Sequence, residues 1–201
     1  VNRSSSATTV ALTLYGRNGS VVASSNLTLP AGSFRQEGLT VLFPAVGGRD
    51  QSGMSMRVVA SAANAVSVYG SVVDNRTHDP LYIAGVPAPA VREAIVPLAG
   101  RAPGANGTFW RSDVTLFNPT NGWLSVDLSY GGRKKSVFLM AKETLVIEDI
   151  VSDLGLGNGT GTLVAGTDAQ RFESFDRRSR HRADVVGAPL QGEAPGRGSP
   201  R

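Results

Sequence analysis

The sequence predicts an all-β protein: two tandem antiparallel β-sandwich domains from an internal duplication, the first copy lacking its opening strand. Three observations carry this. Apolar residues alternate with period two in short runs separated by Gly, Asn, Asp and Pro, as half-buried antiparallel strands require. Helical periodicity is nearly absent. The order of strands, turns and marker residues in the first half also recurs in the second.

Taken in order, the first copy shows Asn2, then Val10-Ala-Leu12-Thr-Leu14-Tyr-Gly as a strand running into a turn. The second shows Asn118, then Leu124-Ser-Val126-Asp-Leu128-Ser-Tyr-Gly. Leu27-Thr-Leu29-Pro-Ala31 matches Val137-Phe-Leu139-Met-Ala141, and Phe34-Arg-Gln-Glu37-Gly-Leu39 matches Leu145-Val-Ile-Glu148-Asp-Ile150. Ser52-Gly-Met54-Ser-Met56 falls on Gly159-Thr-Gly161-Thr-Leu163, and Val66 to Asp74 on Arg171 to Asp176. Gly85-Val-Pro87 and Gly187-Ala-Pro189 close the copies. The offset drifts between roughly 100 and 115 residues through small loop differences, and the order of events is kept.

Each copy holds six or seven strands in about 95 residues, the size and pattern of an Ig-like sandwich without its Cys…Trp…Cys framework. The expected boundaries are 1–89 for the first repeat, 90–93 for a linker, 94–190 for the second repeat and 191–201 for a flexible basic tail. The second copy opens with a strand through Phe109-Trp110-Arg-Ser-Asp113-Val-Thr-Leu-Phe117 that has no match ahead of Asn2. The first sandwich is therefore expected to expose an open strand edge. Either the chain is a piece of a longer one, or a neighbouring subunit supplies the strand by β-addition.

The string Ala105-Asn-Gly-Thr-Phe-Trp110-Arg-Ser-Asp113-Val-Thr-Leu-Phe-Asn118-Pro resembles a repeat unit of secreted bacterial proteins, as do Ala141-Lys-Glu-Thr-Leu145 to Ile150 and Gly159 to Leu163. Such units are tandem β-sandwich modules of unassigned function. The resemblance covers most of 94–190 and, more loosely, 1–89. It implies an extracellular or cell-surface module and transfers no catalytic residue.

Composition narrows the chemistry. The chain has no cysteine, which removes disulfides and thiolate chemistry, and only two histidines, which weakens the case for a histidine metal cage or a His-based triad. No run approaches the roughly 18 apolar residues of a membrane-spanning helix. Lys and Arg number 20 against 16 Asp and Glu, and most of the excess lies in 171–201, with seven arginines against four acids. A basic loop and tail is not the groove or face of a nucleic-acid binder, so no nucleic-acid partner is expected. Gly-x-Ser-x-Gly, a P-loop and His-Glu-x-x-His are absent, and no enzyme activity or cofactor is expected.

The candidate contacts are few. Arg177, Arg178, Arg180, His181 and Arg182 form a loop that could hold a polyanion or acidic glycan, against the plainer reading of a solvated hairpin. Trp123, in the Asn121-Gly122 turn, is the better exposed candidate for stacking on a sugar. Phe109 and Trp110 alternate, which places at least one of them in the core. Asp149 and Asp153 are weaker calcium candidates, lacking the spacing of a dedicated loop. The Asn-x-Ser/Thr triplets at Asn2, Asn18, Asn26, Asn75, Asn106 and Asn158 follow from composition. The expected role is a structural or adhesive module. The alternatives are a glycan- or polyanion-binding module and a strand-exchanging subunit of an extracellular assembly.

Overall fold

The computed structural model describes residues 1–48, 52–73, 80–86 and 93–167, with the backbone of 184–187 and 191–193. It is an all-β structure of antiparallel sheets with two short helices. The chain divides into two compact units, Val1–Ala88 and Pro89–Arg201.

Unit 1 contains β1 (Thr8–Tyr15), β2 (Val21–Leu29), α1 (Leu39–Leu42), β3 (Ser55–Ala60), β4 (Tyr69–Val73) and β5 (Pro80–Ala84). One sheet runs β2-β1-β3, and β4 and β5 form a separate two-stranded sheet. The alternation in β1 is the reason it is central. Thr8, Val10, Leu12 and Leu14 are buried while Thr9 and Ala11 are exposed, because successive side chains leave a strand on opposite faces. Val10, Leu12 and Leu14 join Leu29, Phe43 and Val46 in one core, and α1 adds Leu39 and Leu42 to its margin. Gly19, at φ +81°, makes the β1–β2 turn possible, a backbone region that side chains with a Cβ avoid.

Unit 2 contains β6 (Glu93–Pro103), β7 (Phe109–Arg111), β8 (Val114–Phe117), β9 (Leu124–Tyr130), β10 (Arg133–Leu139) and β11 (Thr144–Ile147). These are followed by α2 (Ile150–Asp153), β12 (Gly159–Gly166), β13 (Asp184–Gly187) and β14 (Gln191–Glu193). A six-stranded sheet runs β10-β9-β12-β6-β7-β14, and a three-stranded sheet runs β11-β8-β13. The core draws on both: Ala99, Leu124, Val126, Leu128, Leu139, Leu163 and Ala165 from the larger sheet, Val114, Leu116 and Ile147 from the smaller, with Ile150, Val151 and Leu154 at one end. Apolar faces of two sheets buried against each other make a sandwich.

The two units share a framework. Thr8 lies opposite Leu29 as Leu124 lies opposite Leu139, and Val10 opposite Leu27 as Val126 opposite Val137. Leu12 lies opposite Val58 as Leu128 lies opposite Ala165. The sheet β2-β1-β3 thus repeats β10-β9-β12 in order and register. This pairing sets Leu14, not Tyr15, beside Tyr130. The ladder is irregular here, where Leu14 lies opposite Ala23 and Tyr15 opposite Val21, so Val22 of β2 is the extra residue of a bulge. Volumes compensate at the same place: Gly161 leaves room for the Tyr130 ring, 3.3 Å from where a Cβ would stand, whereas unit 1 has Met54 and Leu14.

Four details differ from the sequence reading. Unit 2 opens with β6, not with the strand through Phe109. Pro97 and Pro103 argue against a strand there, yet Pro97 and Leu98 sit in a bulge opposite Thr162, where the missing N–H costs no ladder bond. β6 also begins at Glu93, inside the expected 90–93 linker. The expected single strand Phe109–Phe117 is two strands, β7 and β8, in different sheets. Gln191–Glu193, expected in the tail, pair with β7, since edge pairing needs only backbone groups. Among the described residues, unit 1 has no counterpart of β6, β7 or β8, so β3 is a sheet edge where β12 is flanked by β6.

Two buried groups in unit 2 give expected outcomes. The Thr144 hydroxyl is buried without a hydrogen-bond partner among the described residues. Thr144→Val is isosteric and removes an unpaid desolvation, so it is expected to raise the unfolding free energy by about 1 kcal/mol in a urea titration. Burial holds the Tyr130 phenol above its ordinary value of 10.0, and its OH donates to the Ala99 carbonyl at 3.3 Å. The unfolded chain loses that proton first, so wild-type stability falls as pH rises past the ordinary phenol value. Tyr130→Phe is expected to flatten that fall, read as melting temperature against pH.

Candidate functional site

Arg177, Arg178, Arg180, His181 and Arg182 lie outside the described residues. Trp123 stands ahead of β9, 42% exposed, and leans on Phe138 of β10 with ring centroids 6.2 Å apart and planes tilted by 53°. Phe138 and Met140 beside it are also exposed, so the patch is apolar and open. A sugar platform needs near-coplanar rings, and a 53° tilt does not give one. In unit 1, exposed Phe34 and Tyr82 flank half-buried Tyr69, stacked at 6.4 and 5.4 Å, with the Tyr69 hydroxyl bonded to Gln36.

The expectation that Phe109 or Trp110 lies in the core is not met. Trp110 is exposed, and Phe109 is half-buried beneath the Arg101 guanidinium, 4.8 Å from the ring centroid. The inward ring of β7 is covered by a cation instead of by the opposite sheet.

That arginine leads to a polar constellation in unit 2. Arg101 donates through Nε to Asp149 at 2.7 Å and through a terminal nitrogen to Asn158 at 2.7 Å. Asp149 stands at φ +48° ahead of α2, and its carboxylate accepts from the Ser152 N–H at 3.1 Å as an N-cap. Its own N–H donates to Asp113 at 2.8 Å, and Asp113 is 3.6 Å from Arg111, which reaches Glu148 at 3.9 Å. Ser112 accepts from Ile150 through its carbonyl and from the Gly100 N–H through its hydroxyl, both at 2.9 Å. The segments Trp110 to Asp113 and Glu148 to Ile150, singled out separately in the sequence, are therefore partners in one clamp. It fixes the point where the chain crosses from one sheet to the other.

The two calcium candidates stand one turn apart at α2, the Asp153 N–H donating to the Asp149 carbonyl at 2.9 Å, and each carboxylate faces a cation. Asp149 is engaged by Arg101, and Asp153 is held by Lys135 at 2.7 Å. Calcium needs six to eight converging oxygens. Among the described residues no group of three or more His, Cys, Asp or Glu is placed to hold a metal.

One constellation occurs twice. Asn2 and Asn118 are both fully buried. The Asn118 amide donates to the carbonyls of Gly122, Leu139 and Met140 at 2.7–3.2 Å, and its oxygen accepts from the Thr120 N–H at 2.9 Å. The Asn2 amide donates to Ser6, Leu29 and Pro30 at 2.9–3.0 Å, and its oxygen accepts from the Ser4 N–H at 3.0 Å. The backbone agrees: Asn2 N–H donates to Ser33, and Asn118 N–H to Glu143, each at 2.9 Å. Leu29 and Leu139 stand at the same register position, so one asparagine side chain ties the same turn to the same strand end in both units. Sequence reasoning used these asparagines as markers without a role. The available signal was Asn followed two residues later by Ser or Thr, an Asx-turn pattern, ahead of each central strand.

No family model, no curated protein and no solved structure matches this chain.

Proposed function

We propose that the chain is a non-catalytic structural or adhesive module of a secreted or cell-surface bacterial protein, built from two Ig-like sandwich units related by internal duplication. The observation that supports this best is the use made of its motif residues. The buried asparagines, Asp113, Asp149, Arg101 and Arg111 bind each other and the backbone, holding turns and strand crossings in place. Polar side chains spent this way fix a rigid frame and do not converge on a substrate. Among the described residues, exposed aromatic patches are Trp123 with Phe138 and Met140, and the Phe34–Tyr69–Tyr82 stack.

The test is retention of the purified chain on immobilised glycans and polyanions at low and high salt. A structural module passes unretained on both. Salt-sensitive retention that disappears on replacing Arg177, Arg178, Arg180 and Arg182 by Ala would overturn this reading in favour of polyanion capture.

A further inference from the structure

We propose that Asn121 is a site of spontaneous covalent modification: the folded chain converts it to aspartate and isoaspartate through a cyclic imide, ahead of its other Asn-Gly pairs.

Four asparagines precede a glycine, namely Asn18, Asn106, Asn121 and Asn158. A glycine has no Cβ to screen its backbone nitrogen, so all four pairs are reactive in an open chain and the fold decides between them. At Asn18 both reacting groups are tied. Its side-chain oxygen accepts from the Ser20 N–H at 3.1 Å and the Ser20 hydroxyl at 2.7 Å, and the Gly19 N–H donates to the Gly16 carbonyl at 2.9 Å. The Asn158 oxygen is held by Arg101 at 2.7 Å. Asn106 stands at φ +55° and ψ +33°, which turns the Gly107 nitrogen away from the Asn106 side chain.

Asn121 is differently placed. It is exposed, and among the described residues its side chain makes no hydrogen bond. The Gly122 N–H reaches only the Thr120 hydroxyl, at 3.2 Å, the long end of the hydrogen-bond range. Nothing stands within 4 Å of where a Gly122 Cβ would be, so the space beside the glycine is open.

In the reaction the Gly122 nitrogen, its proton passing to hydroxide, attacks Cγ of Asn121. The bond from Cγ to the side-chain nitrogen breaks, and ammonia leaves with a proton taken from water. Water then adds to either carbonyl of the five-membered ring and the ring C–N bond opens. One product is aspartate, and the other is isoaspartate, with the main chain routed through Cβ. Isoaspartate lengthens the main chain by one atom just ahead of Gly122. The Gly122 carbonyl accepts from the Asn118 amide at 2.7 Å and the Thr120 hydroxyl at 2.9 Å, so the change strains the turn that Asn118 ties.

The experiment holds the full chain at neutral pH, folded and in urea, and follows each asparagine by peptide mapping against synthetic aspartate and isoaspartate standards. In the folded chain Asn121 is expected to be lost at least about fivefold faster than Asn18, Asn106 or Asn158, because each of those must first open locally. In urea the four rates are expected to draw together. Equal rates in the folded chain would overturn the proposal, as would faster loss at any of the other three. An Asn121 lead kept unchanged in urea would overturn it too, by assigning the selectivity to local sequence and not to the fold. Binding is not read in this experiment, so the functional reading stands or falls separately.

Discussion

Asn118→Ala is expected to lower the unfolding free energy by about 3 kcal/mol or more, and Asn2→Ala to act in the same direction on unit 1. Truncating Asn118 removes its amide from the Leu139 carbonyl and its oxygen from the Thr120 N–H, while the Met140 carbonyl keeps the Glu143 N–H at 3.2 Å. A buried group stripped of its partner costs about 1–3 kcal/mol, and two are affected at once. Gly122 loses less, because the Thr120 hydroxyl still reaches its carbonyl at 2.9 Å. Asn118→Asp is expected to be at least as damaging as Asn118→Ala. It keeps the acceptor oxygen and places a carboxylate against carbonyls in a site with no exposure. Urea titration gives the size of the loss, and residue-resolved amide exchange gives its place. The Asn118 variants should loosen the β9–β10 hairpin, and Asn2→Ala the β1–β2 hairpin. Equal loosening of distant strands in the same unit would mean that the asparagine does not act as a local tie.

How much of this was legible in the sequence depends on the range of the interaction. Thr8–Tyr15 and Leu124–Tyr130 announce themselves, because burial of one face enforces alternation within a few residues. The shared framework was legible for the same reason, since marker residues keep their order. The partners of Asn118 lie 4, 21 and 22 residues away, and nothing in the local spacing points to Leu139 or Met140. β6 was hidden by Pro97, whose usual meaning is the end of a strand. The bulge that admits it involves Thr162, distant in sequence. The continuous apolar pattern from Phe109 to Phe117 likewise conceals a change of sheet at Ser112-Asp113. That break is imposed by Ile150 and Asp149, which draw the Ser112 carbonyl and the Asp113 carboxylate toward α2.

Asp149→Ala is expected to cost about 2–3 kcal/mol, with Asp149→Asn mildest and Asp149→Gly between them. Three effects act at this position. The carboxylate caps α2 through the Ser152 N–H, worth about 1 kcal/mol. It pairs with Arg101 at 2.7 Å with side chains 18% and 31% exposed, enough burial to contribute but also enough water to keep the gain near about 1 kcal/mol. The backbone sits at φ +48°, which costs a residue such as Ala about 1–2 kcal/mol and which Asn and Asp tolerate best among residues with a Cβ. Asn keeps the cap oxygen and the tolerance but sets an NH2 against Arg101, so it loses the Arg101 hydrogen bond together with the charge. Gly relieves the backbone and loses both side-chain contacts. Ala loses everything. The ordering therefore separates strain from electrostatics: if Ala and Gly unfold at the same urea concentration, the left-handed backbone contributes nothing. Salt gives the complementary reading, because screening weakens the Arg101–Asp149 pair in the wild type and has no such pair to weaken in Asp149→Asn. The same geometry predicts that neither added calcium nor EDTA moves the wild-type melting temperature. Asp149 and Asp153 each already face a cation, and a calcium ion would have to displace Arg101 or Lys135 to bind either of them.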